Sequence, residues 1–155
     1  MHVYNVNRHF GKKDLILGGN IAVKLTTKSE YTILALLYMA RKGDGKLVKI
    51  EEICRACDIP KKYLELLFTA LRQSRYIQTR RGIRGGYRLS RPASEITIAE
   101  IVRLMDGALA PTESVSTYFF SDTPLSREPK MLAVFREIRD YIADRLEKLT
   151  LADLT

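Results

Sequence analysis

Between Pro60 and Arg91 the chain carries nine basic side chains (Lys61, Lys62, Arg72, Arg75, Arg80, Arg81, Arg84, Arg88 and Arg91) against a single acid, Glu65. That local excess matches the net charge of the whole 155-residue protein, +8, so the remaining residues cancel. Guanidinium and ammonium groups at this density bind phosphate oxygens, and their natural partner is a polyanion. A carboxylate among them is repelled by phosphates unless it reads a base or orients a basic neighbour. Glu65 can accept from cytosine N4, and Lys61 and Lys62 can donate to guanine O6/N7 or to phosphate. An intrahelical i,i+4 pair of Lys61 with Glu65, worth only about 0.2–0.5 kcal/mol, is the other reading of Glu65, and both are open.

The elements that must position these groups are patterned. Pro60 to Ser74 sets Tyr63, Leu64, Leu67, Phe68 and Leu71 on one helical stripe, with Lys61, Lys62, Glu65, Thr69 and Arg72 on the other face. Pro60 suits a first helical turn, where its missing N–H costs nothing. Short extended runs follow, Tyr76 to Arg80 and Tyr87 to Ser90. They are joined by Arg81-Gly82-Ile83-Arg84-Gly85-Gly86, whose glycines permit the positive φ angles of a hairpin. Upstream, Thr27 and Glu30 predict a capping box opening a helix with Tyr31, Leu34, Ala35, Leu37, Tyr38 and Met39 inward, stopped by Gly43 and Gly45. Ile50 to Cys57 is a second short helix and Asp58-Ile59-Pro60 a turn. The expected fold is mainly α: a winged helix-turn-helix with a long C-terminal dimerisation helix. In such motifs the second helix enters the major groove by its N-terminal residues.

The blocks Lys24-Leu25-Thr26-Thr27-Lys28-Ser29-Glu30-Tyr31, Ile59-Pro60-Lys61-Lys62-Tyr63-Leu64-Glu65-Leu66-Leu67-Phe68 and Arg81-Gly82-Ile83-Arg84-Gly85-Gly86-Tyr87 resemble the Rrf2 (Rrf-two) family of bacterial winged-helix transcription factors. The likeness runs from about Val23 to Leu154. It implies a homodimer reading a partly palindromic operator on double-stranded DNA, with Lys62, Glu65 and Arg81 at positions that contact DNA in relatives. Arg84 at the wing tip would enter the adjacent minor groove, where arginine is drawn to narrow, electronegative stretches. Lys28, Lys61, Arg72 and Arg88 complete the candidate DNA-contacting set, and Arg72, Arg75 and Arg88 are expected to meet phosphates.

Members of the family that carry an iron–sulfur cluster hold three cysteines in the loop before the last long helix. Here that loop, residues 108–126, reads ALAPTESVSTYFFSDTPLS and has no cysteine or histidine. Thiolates are the usual ligands, so no cluster is expected in the family position, and no other cofactor or metal site is read. The loop offers Tyr118, Phe119 and Phe120 instead, which could line a small-molecule pocket, dock on a partner protein or pack on the final helix. Cys54 and Cys57 lie at i,i+3 in the second helix. Two ligands do not make a structural zinc site, and core packing is expected ahead of a thiol redox switch, which is the alternative.

Thr97-Ile98-Ala99-Glu100 is a second capping box, opening a helix with Ile98, Ile101, Val102 and Met105 inward and Gly107 at its end. Arg127 to Leu149 places Met131, Val134, Phe135, Ile138, Tyr141, Ile142, Leu146 and Leu149 at 3-and-4 spacing. So long a stripe exceeds what one small domain covers, and a two-fold dimer is expected. The chain thus divides into an extension, 1–22; a winged helix-turn-helix unit, 23–107; an effector loop, 108–126; and a dimerisation helix with tail, 127–155. Gly18-Gly19 requires two GGN codons three codons ahead of Val23, whose own codon can serve as a start, so residues 1–22 are expected to be an upstream leader. If translated, they form an arm that can touch DNA.

No apolar run approaches the ~18 residues of a membrane span, and no signal-peptide pattern is visible; two cysteines and a DNA-binding layout predict a cytoplasmic protein. An enzyme is not expected, since there is no phosphate-binding glycine loop and the only histidines, His2 and His9, lie in the extension. RNA is disfavoured because the recognition face lacks stacking aromatics. The strongest alternative is a regulator controlled by a partner protein or small molecule at the aromatic loop.

Overall fold

The computed structural model describes residues 25–155, so the expected leader lies outside the described residues. Helix α1 spans Thr27–Lys42. Its cap is Thr26, not the predicted Thr27 and Glu30 box: the backbone N–H and hydroxyl of Thr26 both donate to the carboxylate of Asp106, eighty residues away in sequence. A tertiary acid thus supplies the negative charge that the helix N-terminus favours. Leu34, expected inward, is 45% exposed, while Leu36 is fully buried. The run Ile33 to Met39 is nearly continuous in apolar residues, so periodicity alone left the face undetermined.

Helix α2, Ile50–Cys57, ends at Asp58 in the left-handed region (φ 53°, ψ 45°). An aspartate tolerates that conformation better than most residues, and it turns the chain into α3, Lys61–Gln73. Pro60 occupies the cap position, its carbonyl accepting from the N–H groups of Tyr63 (3.1 Å) and Leu64 (3.0 Å). Leu64, Leu67, Phe68 and Leu71 of α3 are buried against Ala35, Leu36, Met39 and Ile53 in one hydrophobic core. Tyr63 is half-buried edge-on to Tyr31, with ring centroids 5.7 Å apart.

Strands β1 (Ile77–Arg80) and β2 (Gly86–Leu89) pair antiparallel, with Ile77 opposite Leu89 and Arg80 opposite Gly86. Val48 adds a third rung, exchanging two 2.8 Å backbone bonds with Tyr87. That approach fixes Gly86, because a Cβ there would lie 2.7 Å from the carbonyl oxygen of Val48. Gly85 does not need a positive φ; it is required because a Cβ would fall 2.1 Å from the carbonyl oxygen of Arg80.

Helix α4, Ile98–Asp106, opens with the predicted box: Thr97 Oγ1 accepts from Glu100 N–H at 3.2 Å, and Glu100 Oε2 accepts from Thr97 N–H at 2.9 Å. It packs on α1 and brings Asp106 to Thr26. The final helix α5 covers Pro129–Glu147, shorter than predicted at both ends; Pro124–Arg127 is a 3₁₀ turn before it. The tail then returns to the domain. Ile98 N–H donates to Leu149 O (2.8 Å), Leu151 N–H to Ile96 O (2.9 Å), and Leu151 is fully buried. Among the described residues no helix is long and apolar enough to cross a membrane.

Candidate nucleic-acid interface

Burial of four apolar residues on one side of α3 forces the other side outward. Lys61, Lys62, Glu65, Leu66, Thr69 and Arg72 are all exposed there. Lys61 is pinned to the preceding helix: its ammonium bonds Glu51 Oε1 at 2.6 Å. That bond raises the Lys61 pKa and lowers the Glu51 pKa. It also removes the intrahelical reading of Glu65, since the partner of Lys61 sits on α2. The Glu65 side chain has no ion-pair or hydrogen-bond partner among the described residues; only its backbone carbonyl is used, accepting from Thr69 Oγ1 at 2.9 Å. Lys62 is equally unpaired among them, so a free ammonium and a free carboxylate stand side by side on the leading turns of α3.

Leu66, 65% exposed beside Glu65, is a member of this face that charge counting overlooked. An apolar side chain there can meet a thymine methyl group. Its signal was available, since it falls off the buried stripe of the α3 pattern.

α3 closes on a turn in which Tyr76 N–H donates to Leu71 O (2.8 Å) and Arg75 N–H to Arg72 O (3.1 Å). The left-handed position in such a turn is usually glycine; here it is Arg75, at φ 60°. Arg72 and Arg75 line an open cleft with Gln78, Thr79, Ser90 and Arg91. Arg91 is committed elsewhere, bonding Glu100 at 2.8 Å and lying over the Tyr76 ring at 5.2 Å. Arg88 donates to Gln78 Oε1 at 3.1 Å across the hairpin. At the turn, Arg81 and Arg84 are exposed and without ion-pair partners among the described residues, and Gly82 (φ 105°) and Gly85 fix their direction. Lys28 is exposed at the start of α1.

The two thiols are partly buried and packed against the core. Burial pushes the pKa of both Cys54 and Cys57 up, away from the thiolate form that reacts. The loop 108–126 contains no basic residue, yet the fold brings two to it. Arg139 of α5 donates to Val115 O at 2.6 Å, and the Arg103 guanidinium of α4 lies 5.0 Å over the Tyr118 ring while pairing with Glu147. Tyr118, Phe119 and Phe120 remain 70%, 48% and 68% exposed. The cavity lined by Tyr118 and Phe119, about 20 Å³, has room for a water molecule but not for a drug-sized ligand. The loop supplies neither thiolate nor imidazole, so its donor set does not fit an iron–sulfur cluster. Among the described residues no cluster of three or more His, Cys, Asp or Glu could hold a metal ion.

On α5 only Leu132 is buried. Met131, Val134, Ile138 and Tyr141 are 43%, 46%, 39% and 71% exposed, with Phe135 and Ile142 half-buried. Leu146 and Leu149 differ from the rest of the predicted stripe, because they pack partly on the domain's own core.

A three-helix unit with its third helix face free, followed by an arginine-tipped hairpin, defines a winged helix-turn-helix protein. The family model described as "Iron-dependent Transcriptional regulator" matches residues 25–155. The chain belongs to this family, Rrf2. Protein Rv1287 of Mycobacterium tuberculosis strain H37Rv, whose name places it among HTH-type transcriptional regulators, is 36% identical over 133 residues, covering 85% of this chain and 81% of the relative. The regulator IscR of Cereibacter sphaeroides is 40% identical over 86 residues, 54% of this chain and 56% of the relative. Among solved structures, CymR, the global cysteine regulator of Bacillus subtilis, is similar with a TM-score of 0.68 and 27% identity, covering 84% of this chain and 95% of that one. The chain is a transcriptional regulator of the Rrf2 family.

Proposed function

We propose that this regulator is a homodimeric repressor that reads a partly palindromic operator through α3 and the β1–β2 wing, without an iron–sulfur cluster. The observation that carries this reading is the unpaired Lys62 and Glu65 couple on the exposed leading turns of α3. A carboxylate left without a cation in the most basic stretch of the chain is unfavourable near phosphates, and a cytosine N4 donor relieves it. The unpaired arginines of the wing supply backbone and minor-groove attraction beside it. The apolar residues exposed on α5, Met131 to Tyr141, support pairing with a second copy. Two α3 helices would then face successive major grooves, about 34 Å apart. Repression needs only that the promoter be covered. The absence of thiolate or imidazole donors from residues 108–126 supports independence from a cluster.

Selection from a random duplex pool tests this reading. It predicts a motif with two symmetric half-sites centred about 10 base pairs apart; a motif with a single half-site, or no motif at pool saturation, contradicts it. A second reading adds a signal. The exposure of Tyr118, Phe119 and Phe120, beside a cavity too small for a ligand that only the first two line, favours a partner protein rather than a small molecule as the controlling input. Co-purification of a stoichiometric partner, released by Phe120→Ser, is its expected result; unaided binding at full affinity with no partner recovered counts against it.

A further inference from the structure

The wing turn carries a residue that charge does not account for. Ile83 is 94% exposed, the most exposed of the large apolar side chains described. A lone surface isoleucine is ordinary, so exposure alone says little. Its setting says more. Ile83 stands between Gly82 and Arg84, with Arg80 and Arg81 before them, so that it is the sole apolar side chain in residues 80–84. The turn is held in one shape: Gly85 N–H donates to Gly82 O at 2.9 Å, Gly82 sits at φ 105°, and Gly85 lies where a Cβ would meet the carbonyl oxygen of Arg80 at 2.1 Å. Ile83 therefore stands at the apex of a hydrogen-bonded turn. A polyanion that bonds Arg81 and Arg84 approaches the turn on which Ile83 stands exposed.

The minor groove of DNA suits this arrangement. Its phosphates line both rims and attract the arginines, while its walls are deoxyribose carbon that can bury an aliphatic side chain. Apolar side chains inserted from the minor groove part a base step and bend the duplex toward the major groove, most easily at pyrimidine–purine steps.

Resting on the operator reading above, we infer that Ile83 is a minor-groove wedge. It lodges between the rims held by Arg81 and Arg84, opens the step it meets, and makes operator choice depend on the deformability of sequence flanking the α3 contacts. The wedge reads stiffness at positions where no hydrogen bond is made.

The test compares wild type, Ile83→Ala and Arg84→Ala on one selected operator duplex, end-labelled for energy transfer. The duplex is prepared with TA, CA or AA at the step facing the wing. Wild type should bend the TA and CA duplexes and bind them more tightly than AA. Ile83→Ala should bind the TA duplex about tenfold more weakly, in keeping with losing a few partly buried methylenes. It should also bend DNA less and lose the preference among the three steps, with the salt dependence unchanged because no charge is lost. Arg84→Ala should do the opposite on that last count, lowering the salt slope. Equal affinity, bend and step preference for Ile83→Ala and wild type would overturn the wedge while leaving operator reading by α3 intact. Failure of wild type to prefer the operator over unrelated duplex would overturn both. Since Ile83 is 94% exposed, its alanine variant should fold normally, and unchanged thermal unfolding provides the control.

Discussion

Replacing Glu65 with alanine should change which operators the protein prefers without changing how well it folds. The side chain is exposed and has no partner among the described residues, so the variant loses no ion pair. Its unfolding free energy should stay within about 0.5 kcal/mol of wild type. If the carboxylate accepts from a cytosine N4, each lost contact costs about 1–3 kcal/mol, and a two-fold dimer loses two, for about 2–6 kcal/mol on the preferred operator. On an operator already altered at that base pair in both half-sites, the substitution should cost nothing. The coupling between protein change and base change is the measured quantity. Fluorescence anisotropy with wild-type and base-substituted duplexes at fixed salt gives all four corners. The opposite outcome has a distinct signature. A carboxylate that reads no base only repels phosphates, so its removal would raise affinity for every duplex and leave their ranking untouched. That result would refute the reasoning.

Gly86→Ala should lower stability by about 2 kcal/mol in denaturant unfolding, because its Cβ would press on Val48; a loss below about 0.5 kcal/mol would mean that the approach relaxes freely. Arg75→Gly should stabilise the fold slightly or leave it unchanged, since glycine takes φ 60° without strain. It should also flatten the slope of log affinity against log salt by about 1.8 for a dimer that loses two phosphate contacts; an unchanged slope removes Arg75 from the interface. Ile138→Asp, on the exposed face of α5, should convert a dimer to a monomer in light scattering and weaken operator binding; a persistent dimer places the interface elsewhere. Glu100 is held below the ordinary carboxylate range because, although burial opposes its charge, bonds from Arg91 and Thr97 outweigh that cost. Its contribution to stability is therefore complete above the unfolded pKa, about 4.3, and is lost as pH falls through the lower folded value. Glu100→Gln should be less stable than wild type near pH 7, the gap closing at acid pH; a gap that does not change with pH would contradict this.

The elements of the candidate interface were legible in the sequence because their signals are local. α3 announces itself by the spacing of Leu64, Leu67, Phe68 and Leu71, and the wing by glycines that the backbone approaches of Arg80 and Val48 require. The Thr97 box was readable because both of its partners lie within one turn. What sequence missed was brought by tertiary contact. Asp106 caps α1 across the domain, Lys61 takes Glu51 from another helix, and Arg103 and Arg139 reach a loop that has no cation of its own. The inward face of α1 escaped for another reason: Leu34, Leu36 and Leu37 all carry the same apolar signal, and only packing distinguishes them. Leu146 and Leu149 continue the 3-and-4 spacing of the predicted stripe, but both pack partly on the domain's own core.

Hydroxyl-radical footprinting on a selected operator tests the central claim most directly, with wild type beside an Arg81→Ala/Arg84→Ala variant. The account predicts protection on one face of the duplex, centred in two major grooves about 10 base pairs apart, with flanking minor-groove protection that disappears in the variant. Protection confined to a single groove, or a flanking pattern that survives the loss of both arginines, would contradict it.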